Sequence, residues 1–240
     1  MVAVPYSIVI PVYNEERRLP KNAETIFQFF AGVEGGAEII FVNDGSTDGT
    51  AQLLGEYQKK YSCRVVSYAV NRGKGYAVRQ GAFAATGQWV IFFDVDLATP
   101  LTVFNDLVGS LSASDAVVIG SRRMPTSQIK RAESRVRTLL GHSFTKISNL
   151  LVPGVTDFTC GFKCFSAAAA KIIFPRARID RWGFDTELLY IARVHKLLVR
   201  EIPVEWVHDT DSRVRVGQAI VSTLGELVRM AWYRVRGLYR

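Results

Sequence analysis

Asp94 and Asp96 are two carboxylates one residue apart, at the end of the apolar run 89–93 (WVIFF) in a chain of 240 residues. Oxygen ligands in that arrangement suit a hard divalent cation, Mg²⁺ or Mn²⁺, which would also hold diphosphate oxygens. The competing reading is a capped strand end that leads into a helix start at Pro100. Three further polar clusters each follow an apolar run: Pro11, Tyr13 and Glu15; the Asn43–Asp48 stretch NDGSTD; and Asn71–Gly75, NRGKG. Asp44 has two readings, as the former of an Asx turn or as an acceptor for a base N–H. Lys74 and Arg79 could approach a diphosphate from a glycine-rich turn, or begin a helix as solvated bases. Lys74 is followed by Gly75 rather than Ser or Thr, and the glycine spacing departs from Gly-x-Gly-x-x-Gly. A nucleotide-hydrolysing or hydride-transfer enzyme is therefore disfavoured.

Short β-branched runs at 7–11, 38–42, 64–69, 89–93 and 116–120 read as strands buried on both faces. Helical patterns at 20–30, 47–61, 74–85 and 102–112 alternate with them, and Thr47 and Asp48 offer N-caps for the second. That alternation predicts an open α/β sheet with a mostly parallel centre. Ligands bind such sheets outside the carboxyl ends of the strands, which is where all four polar clusters fall. After residue 120 the pattern predicts helices at 131–151, 167–174 and 185–194, a Gly-Cys-rich turn before the second of these, and a strand at 198–204. From 214 to 238 apolar residues recur at helical spacing among arginines, which predicts an amphipathic basic helix, in one piece or two.

The charge is divided unevenly. Residues 1–120 carry 9 Lys/Arg against 12 Asp/Glu, whereas 121–240 carry 21 against 10, so the formal +8 comes wholly from the second half. Such a half-molecule asks for an anionic partner. The strands read as buried, which argues against a nucleic-acid platform of exposed aromatic residues. Three cysteines make no disulfide framework, and Cys160 and Cys164 lack partners for zinc ligation, so packing is the favoured reading. His142, His195 and His208 lack a partnered nucleophile, leaving a Ser-His-Asp hydrolase unsupported. No stretch reaches the length of a membrane span, and the N-terminus lacks a signal-peptide layout. The expectation is a cytoplasmic protein, peripheral on the cytoplasmic face of a membrane.

The segments VIPVYNEE, VNDGSTDGT, NRGKGYAVRQG and FFDVDLATP resemble the successive motifs of the glycosyltransferase family 2 catalytic domain, with its GT-A fold. GSRR at 120–123, DFTCGFKCF at 157–165, RWGFDTELLYIA at 181–192 and IPVEWVHDTDSRVR at 202–215 are similar to polyprenyl-phosphate hexosyltransferases. Among these the likeness is greatest to the dolichyl-phosphate β-glucosyltransferases, and the dolichol-phosphate mannose synthases share most of the elements.

The resemblance implies an inverting, metal-dependent transferase moving glucose from UDP-glucose to a polyprenyl phosphate, with GDP-mannose as the runner-up donor. A soluble relative with a polysaccharide acceptor is the further alternative. Carried over by position, Pro11, Tyr13 and Glu15 hold the nucleoside, Asp44 the base, and Asp94 and Asp96 the metal. Arg122, Arg135 or Arg137, Ser212 and Arg213 surround the acceptor phosphate, and Asp157 lies near the reacting sugar. Trp182, Gly183 and Phe184 have two readings, as the core of a helix start or, as the resemblance favours, as lining of the sugar site. Asn43 stands where an acid is usual, and Ala98 where some mannose synthases supply a third metal ligand. A catalytic domain over 1–212, divided near 120 into donor and acceptor halves, would precede membrane-surface helices over 213–240.

Overall fold

The computed structural model describes residues 4–131, 135–207 and 216–240, with backbone alone at 131, 135–137, 139–140 and 216–224. The first half alternates as its burial pattern requires: β1 (Tyr6–Val12), α1 (Leu19–Ala31), β2 (Ala37–Asp44), α2 (Thr50–Lys60), β3 (Cys63–Tyr68), α3 (Lys74–Ala84), β4 (Trp89–Phe92), α4 (Thr102–Ser110) and β5 (Val117–Ser121). The second half adds β6 (Gln128–Arg131), α5 (Arg135–Ser148), β7 (Lys163–Ser166), α6 (Ala167–Ile173), α7 (Phe184–Val194), β8 (Val199–Pro203), β9 (Glu205–Val207) and α8 (Val216–Val235). Seven strands make one sheet in the order β3-β2-β1-β4-β7-β5-β8, and β6 pairs with β9 in a separate ribbon.

Alternation along the strands divides the core between the two faces. Val9, Ile40, Phe92, Ile119 and Phe165 pack on one side with α3, α6 and α7. Ile8, Ile39, Phe41, Ile91 and Cys164 pack on the other with α1 and α4. Gly81 lets α3 lie flat on the sheet, since a Cβ there would fall 2.2 Å from the Val9 side chain.

The turn expected before residue 167 is in part a strand. β7 lies antiparallel between β4 and β5, with Phe92 opposite Lys163 and Val118 opposite Cys164. Four residues are too few to display a period, and what makes them a strand is the pair of open edges on either side. The two thiols at 160 and 164 are buried, and burial raises both pKa values, as packing residues would show. The α2 start also shifts: Asp48 accepts from the Thr50 N–H at 3.0 Å, one residue ahead of the cap position at Gly49.

α8 is one helix, not two, and the two faces of its second half meet different surroundings. Leu227, Met230 and Tyr239, just beyond it, join the same apolar cluster as the sheet. Val228, Trp232 and Val235 are exposed at helical spacing, Trp232 by 50%, beside exposed Arg229, Arg234 and Arg236. Among the described residues, no helix is long and apolar enough to cross a membrane.

Candidate active site

The β1, β2, β3 and β4 ends bring their loops to one edge of the sheet, with Val12 opposite Asn43 and Asp44 opposite Tyr68. The first two loops are stitched together. Asn14, in the left-handed region at φ 55°, donates its N–H to Ser46 Oγ and accepts from the Thr47 N–H through Oδ1. The Glu15 N–H donates to Thr50 Oγ1, and the Glu15 carboxylate pairs with Arg18 at 3.2 Å. Tyr13 is 45% exposed beside them, and Pro11 is half-buried within β1.

Asp44 is buried and already bonded within the chain. Its carboxylate accepts from Asn71 Nδ2 and from the Arg72 and Gly73 N–H groups at 2.8 to 2.9 Å. It therefore braces the β3–α3 loop, and those internal donors leave part of the carboxylate's acceptor capacity for the expected base N–H. The Arg79 guanidinium donates to the Ala177 carbonyl and to Asp180, each at 2.7 Å, and so ties α3 to the loop before α7.

β4 ends at Phe92, so Asp94 and Asp96 lie on a turn, closed by the Leu97 N–H to the Asp94 carbonyl. Leu97 takes φ 53°, a costly conformation for a side-chain residue, and Asn22 of α1 braces the turn by donating to the Val95 carbonyl at 2.7 Å. Lys74, the first residue of α3, reaches Asp94 Oδ1 at 2.6 Å. Burial and then the neighbouring Asp94 charge raise the Asp96 pKa. Burial pulls the Lys74 pKa down, but Asp94 and Asp185 outweigh it and the net shift is upward, so the ammonium stays charged.

Two crowded carboxylates, with the Asp94 side chain 35% exposed, are a hard-oxygen donor set that fits a divalent cation. Among the described residues no group of three or more His, Cys, Asp or Glu could hold a metal, so phosphate and water oxygens would complete the shell.

The 157–163 segment closes the site from the other side. A Cβ on Gly161 would fall 2.2 Å from Asp94 Oδ2. Gly161→Ala should therefore displace that carboxylate and lower kcat about 100-fold. Circular dichroism should remain near wild type, because the clash is with a side chain and not with backbone.

Four residues earlier in the same segment, Asp157 is fully buried and accepts a two-pronged interaction from Arg122, Nε at 2.7 Å and Nη2 at 2.9 Å. Burial opposes ionisation, but the Arg122 charge and hydrogen bonds hold the Asp157 pKa far below the usual carboxylate range. A group so hard to protonate is no general base. The indole of Trp206 lies 5.3 Å from the Arg122 guanidinium.

Other expectations fare unevenly. Phe184 is core, packed against Phe92 and Gly75, while Trp182 is exposed and the Gly183 N–H donates to Glu226 of α8. Arg135 and Arg137 fall on α5 at positions described by backbone alone, and Ser212, Arg213 and His208 lie outside the described residues. Lys163 and Asp185, an ion pair behind Asp94, were not foreseen as site residues. For Lys163 the signal is a charged residue inside the otherwise apolar GFKCF, whereas Asp185 sits beside Thr186 and Glu187 and carries no such mark.

Solved structures with this architecture are glycosyltransferases of the GT-A class. The glucosyl-3-phosphoglycerate synthase of Mycobacterium tuberculosis aligns at TM-score 0.70 over 95% of this chain and 80% of that one, at 21% identity. The chain itself belongs to glycosyl transferase family 2, whose model matches residues 7–174. It is 36% identical to a dolichyl-phosphate β-glucosyltransferase of Trichomonas vaginalis, over 95% of this chain and 74% of the relative. It is 34% identical to the Homo sapiens protein of that name, over 87% and 69%.

Proposed function

We propose that this glycosyltransferase moves glucose from UDP-glucose to a polyprenyl phosphate of the dolichyl type, giving a β-linked lipid-phosphate sugar. The observation that carries this reading is the 157–163 segment, which touches Asp94 through Gly161 and orients Arg122 through Asp157. Donor-side carboxylates and an acceptor-side arginine are thereby held by one piece of chain. The names of the relatives support the acceptor and the sugar. The structural relative solved with Mn²⁺ and UDP-glucose supports the donor and the metal.

A lipid phosphate monoester has its second pKa near 6, so at neutral pH it is largely a dianion and scarcely needs a base. Its oxygen attacks the anomeric carbon, the bond to the UDP oxygen breaks, and UDP leaves with the electron pair. A bound Mg²⁺ or Mn²⁺ would neutralise charge on the departing diphosphate. Asp94 and Asp96 would hold that cation, with Lys74 beside them as a fixed positive charge. Arg122, locked in one orientation by Asp157, offsets the charge of the incoming phosphate. The exposed Val228, Trp232 and Val235 stripe, with its arginines, suits the surface of an anionic membrane, where such an acceptor resides.

Incubating the protein with a polyprenyl phosphate and radiolabelled UDP- and GDP-sugars, then extracting into organic solvent, tests the proposal. Lipid-soluble label from UDP-glucose is the expected result. Label only from GDP-mannose would replace the donor, and none from any sugar would sink the reading.

A further inference from the structure

The β6–β9 ribbon lies outside the seven-stranded sheet and is rooted beside Arg122. The Ser121 carbonyl, one residue before that arginine, accepts from the Val204 N–H at 3.2 Å and from the Ser127 hydroxyl at 2.6 Å. The Gln128 N–H donates in turn to the Val204 carbonyl at 3.1 Å. Further along β9 the Val207 N–H donates to the Ala98 carbonyl at 2.8 Å, and the Ala98 N–H reaches Asp96 Oδ1. The ribbon therefore joins the chain beside the acceptor-side arginine to the turn that carries the carboxylate pair.

Trp206 lies between those two attachments. It is 8% exposed, yet among the described residues it joins neither apolar cluster of the sheet. Its ring centroid instead lies 5.3 Å from the Arg122 guanidinium carbon, within the range at which an aromatic ring attracts a cation. Asp157 and the Thr159 hydroxyl accept from Nε and Nη2 of the same guanidinium at 2.7 to 2.9 Å. Two separate elements, the 157–163 segment and β9, thus bear on one cation, and only β9 is also tied to the carboxylate turn by a backbone hydrogen bond of its own. We propose that Trp206 is a positioning residue for the acceptor phosphate. With its strand held to the Ala98 carbonyl, the indole fixes the Arg122 guanidinium at a set distance from the Asp94–Asp96 turn, where donor and acceptor phosphates must meet. A misplacement of about 1 Å in such an alignment costs on the order of 100-fold in rate. The inference deepens the transferase reading and rests on its assignment of Arg122 to the acceptor phosphate.

Trp206→Leu, which keeps an apolar side chain and removes the aromatic ring, should lower kcat/KM for a polyprenyl phosphate on the order of 10- to 100-fold. The KM for UDP-glucose should stay within about twofold, because the ring meets the acceptor-side cation. Trp206→Phe, which restores an aromatic ring, should return kcat/KM to within about threefold of wild type. Calorimetric titration with farnesyl phosphate, a short polyprenyl phosphate, reads the same contact without turnover. Trp206→Leu should weaken that binding about tenfold. In an Arg122→Met/Asp157→Leu background the same change should leave the remaining affinity unaltered, because the guanidinium through which it acts is gone. Should Trp206→Leu fail to fold, Trp206→Met is read in the same way.

A folded variant with wild-type kcat/KM and wild-type affinity for farnesyl phosphate would overturn the proposal. So would a loss shared equally by the KM for UDP-glucose, one that Trp206→Phe leaves in place, or one that persists undiminished without Arg122. A wild-type chain that binds no farnesyl phosphate would overturn it too. A wild-type chain that binds farnesyl phosphate yet transfers no sugar would refute the proposed function instead, and the titrations would still judge Trp206.

Discussion

Asp96→Asn should cut transfer on the order of 100- to 1,000-fold, the loss expected when a preorganised charge is taken from the reacting groups, while leaving the fold intact or firmer. The asparagine keeps an oxygen to accept the Ala98 N–H that now reaches Asp96 Oδ1 at 3.0 Å, so the turn survives. What is lost is one of two carboxylates. Burial and Asp94 raise the Asp96 pKa, which means that the ionised form is disfavoured in the folded chain relative to water. Near pH 7 that ionised carboxylate therefore costs stability, and neutralising it should hold or raise the thermal midpoint. Stability and activity move in opposite directions because the crowding of like charges that costs stability is what a bound cation would relieve. Turnover with saturating Mg²⁺ or Mn²⁺, set beside calorimetry of the same protein, checks both halves. An Asp96→Asn variant with wild-type turnover would reduce Asp96 to a cap on its turn.

Arg122→Ala carries the second large effect, and it falls on the fold as well as the reaction. Asp157 is fully exposed to the loss: it has no solvent contact, and its main counter-charge departs. Removing one partner of a buried pair costs about 3–5 kcal/mol. The lower end applies here, because the Arg122 and Thr159 N–H groups and the Thr159 hydroxyl still donate to the carboxylate. Acid sharpens the test. The folded Asp157 pKa lies below the unfolded value of about 3.9, so its stabilisation is complete above that pH and is lost as the pH falls toward the folded value. The gap in thermal midpoint between wild type and Arg122→Ala should therefore narrow below about pH 4. Arg122→Met/Asp157→Leu should recover stability at pH 7 without recovering transfer. Recovery of both would leave Arg122 with no part in the reaction.

The pair also shows where reading the chain from its sequence succeeds and stops. Arg122 and Asp157 were each legible as site residues, but their 35-residue separation hid that each is the other's main partner. Lys74 was legible beside Arg79 in one glycine-rich segment. Only the packed structure separates them, sending Lys74 to Asp94 and Arg79 to Asp180 on the far side of α3. Asp44 was legible as a conspicuous carboxylate, yet its internal donors come from a loop 27 to 29 residues away.

By itself, the sequence determined the strand–helix alternation of the first half, the gathering of four polar loops at one sheet edge, the carboxylate pair and the family. Those features are local: a strand buried on both faces must be apolar along its length, and a loop at its carboxyl end begins where that run stops. The tertiary structure alone decided that β7 enters the sheet antiparallel, that Lys163 and Asp185 stand behind the site, and which cation serves which carboxylate. Each of these depends on strand order and on helix ends pressed together across 20 or more residues of chain. No local period records such distances, because the free energy that selects those partners arises only when both are removed from water together.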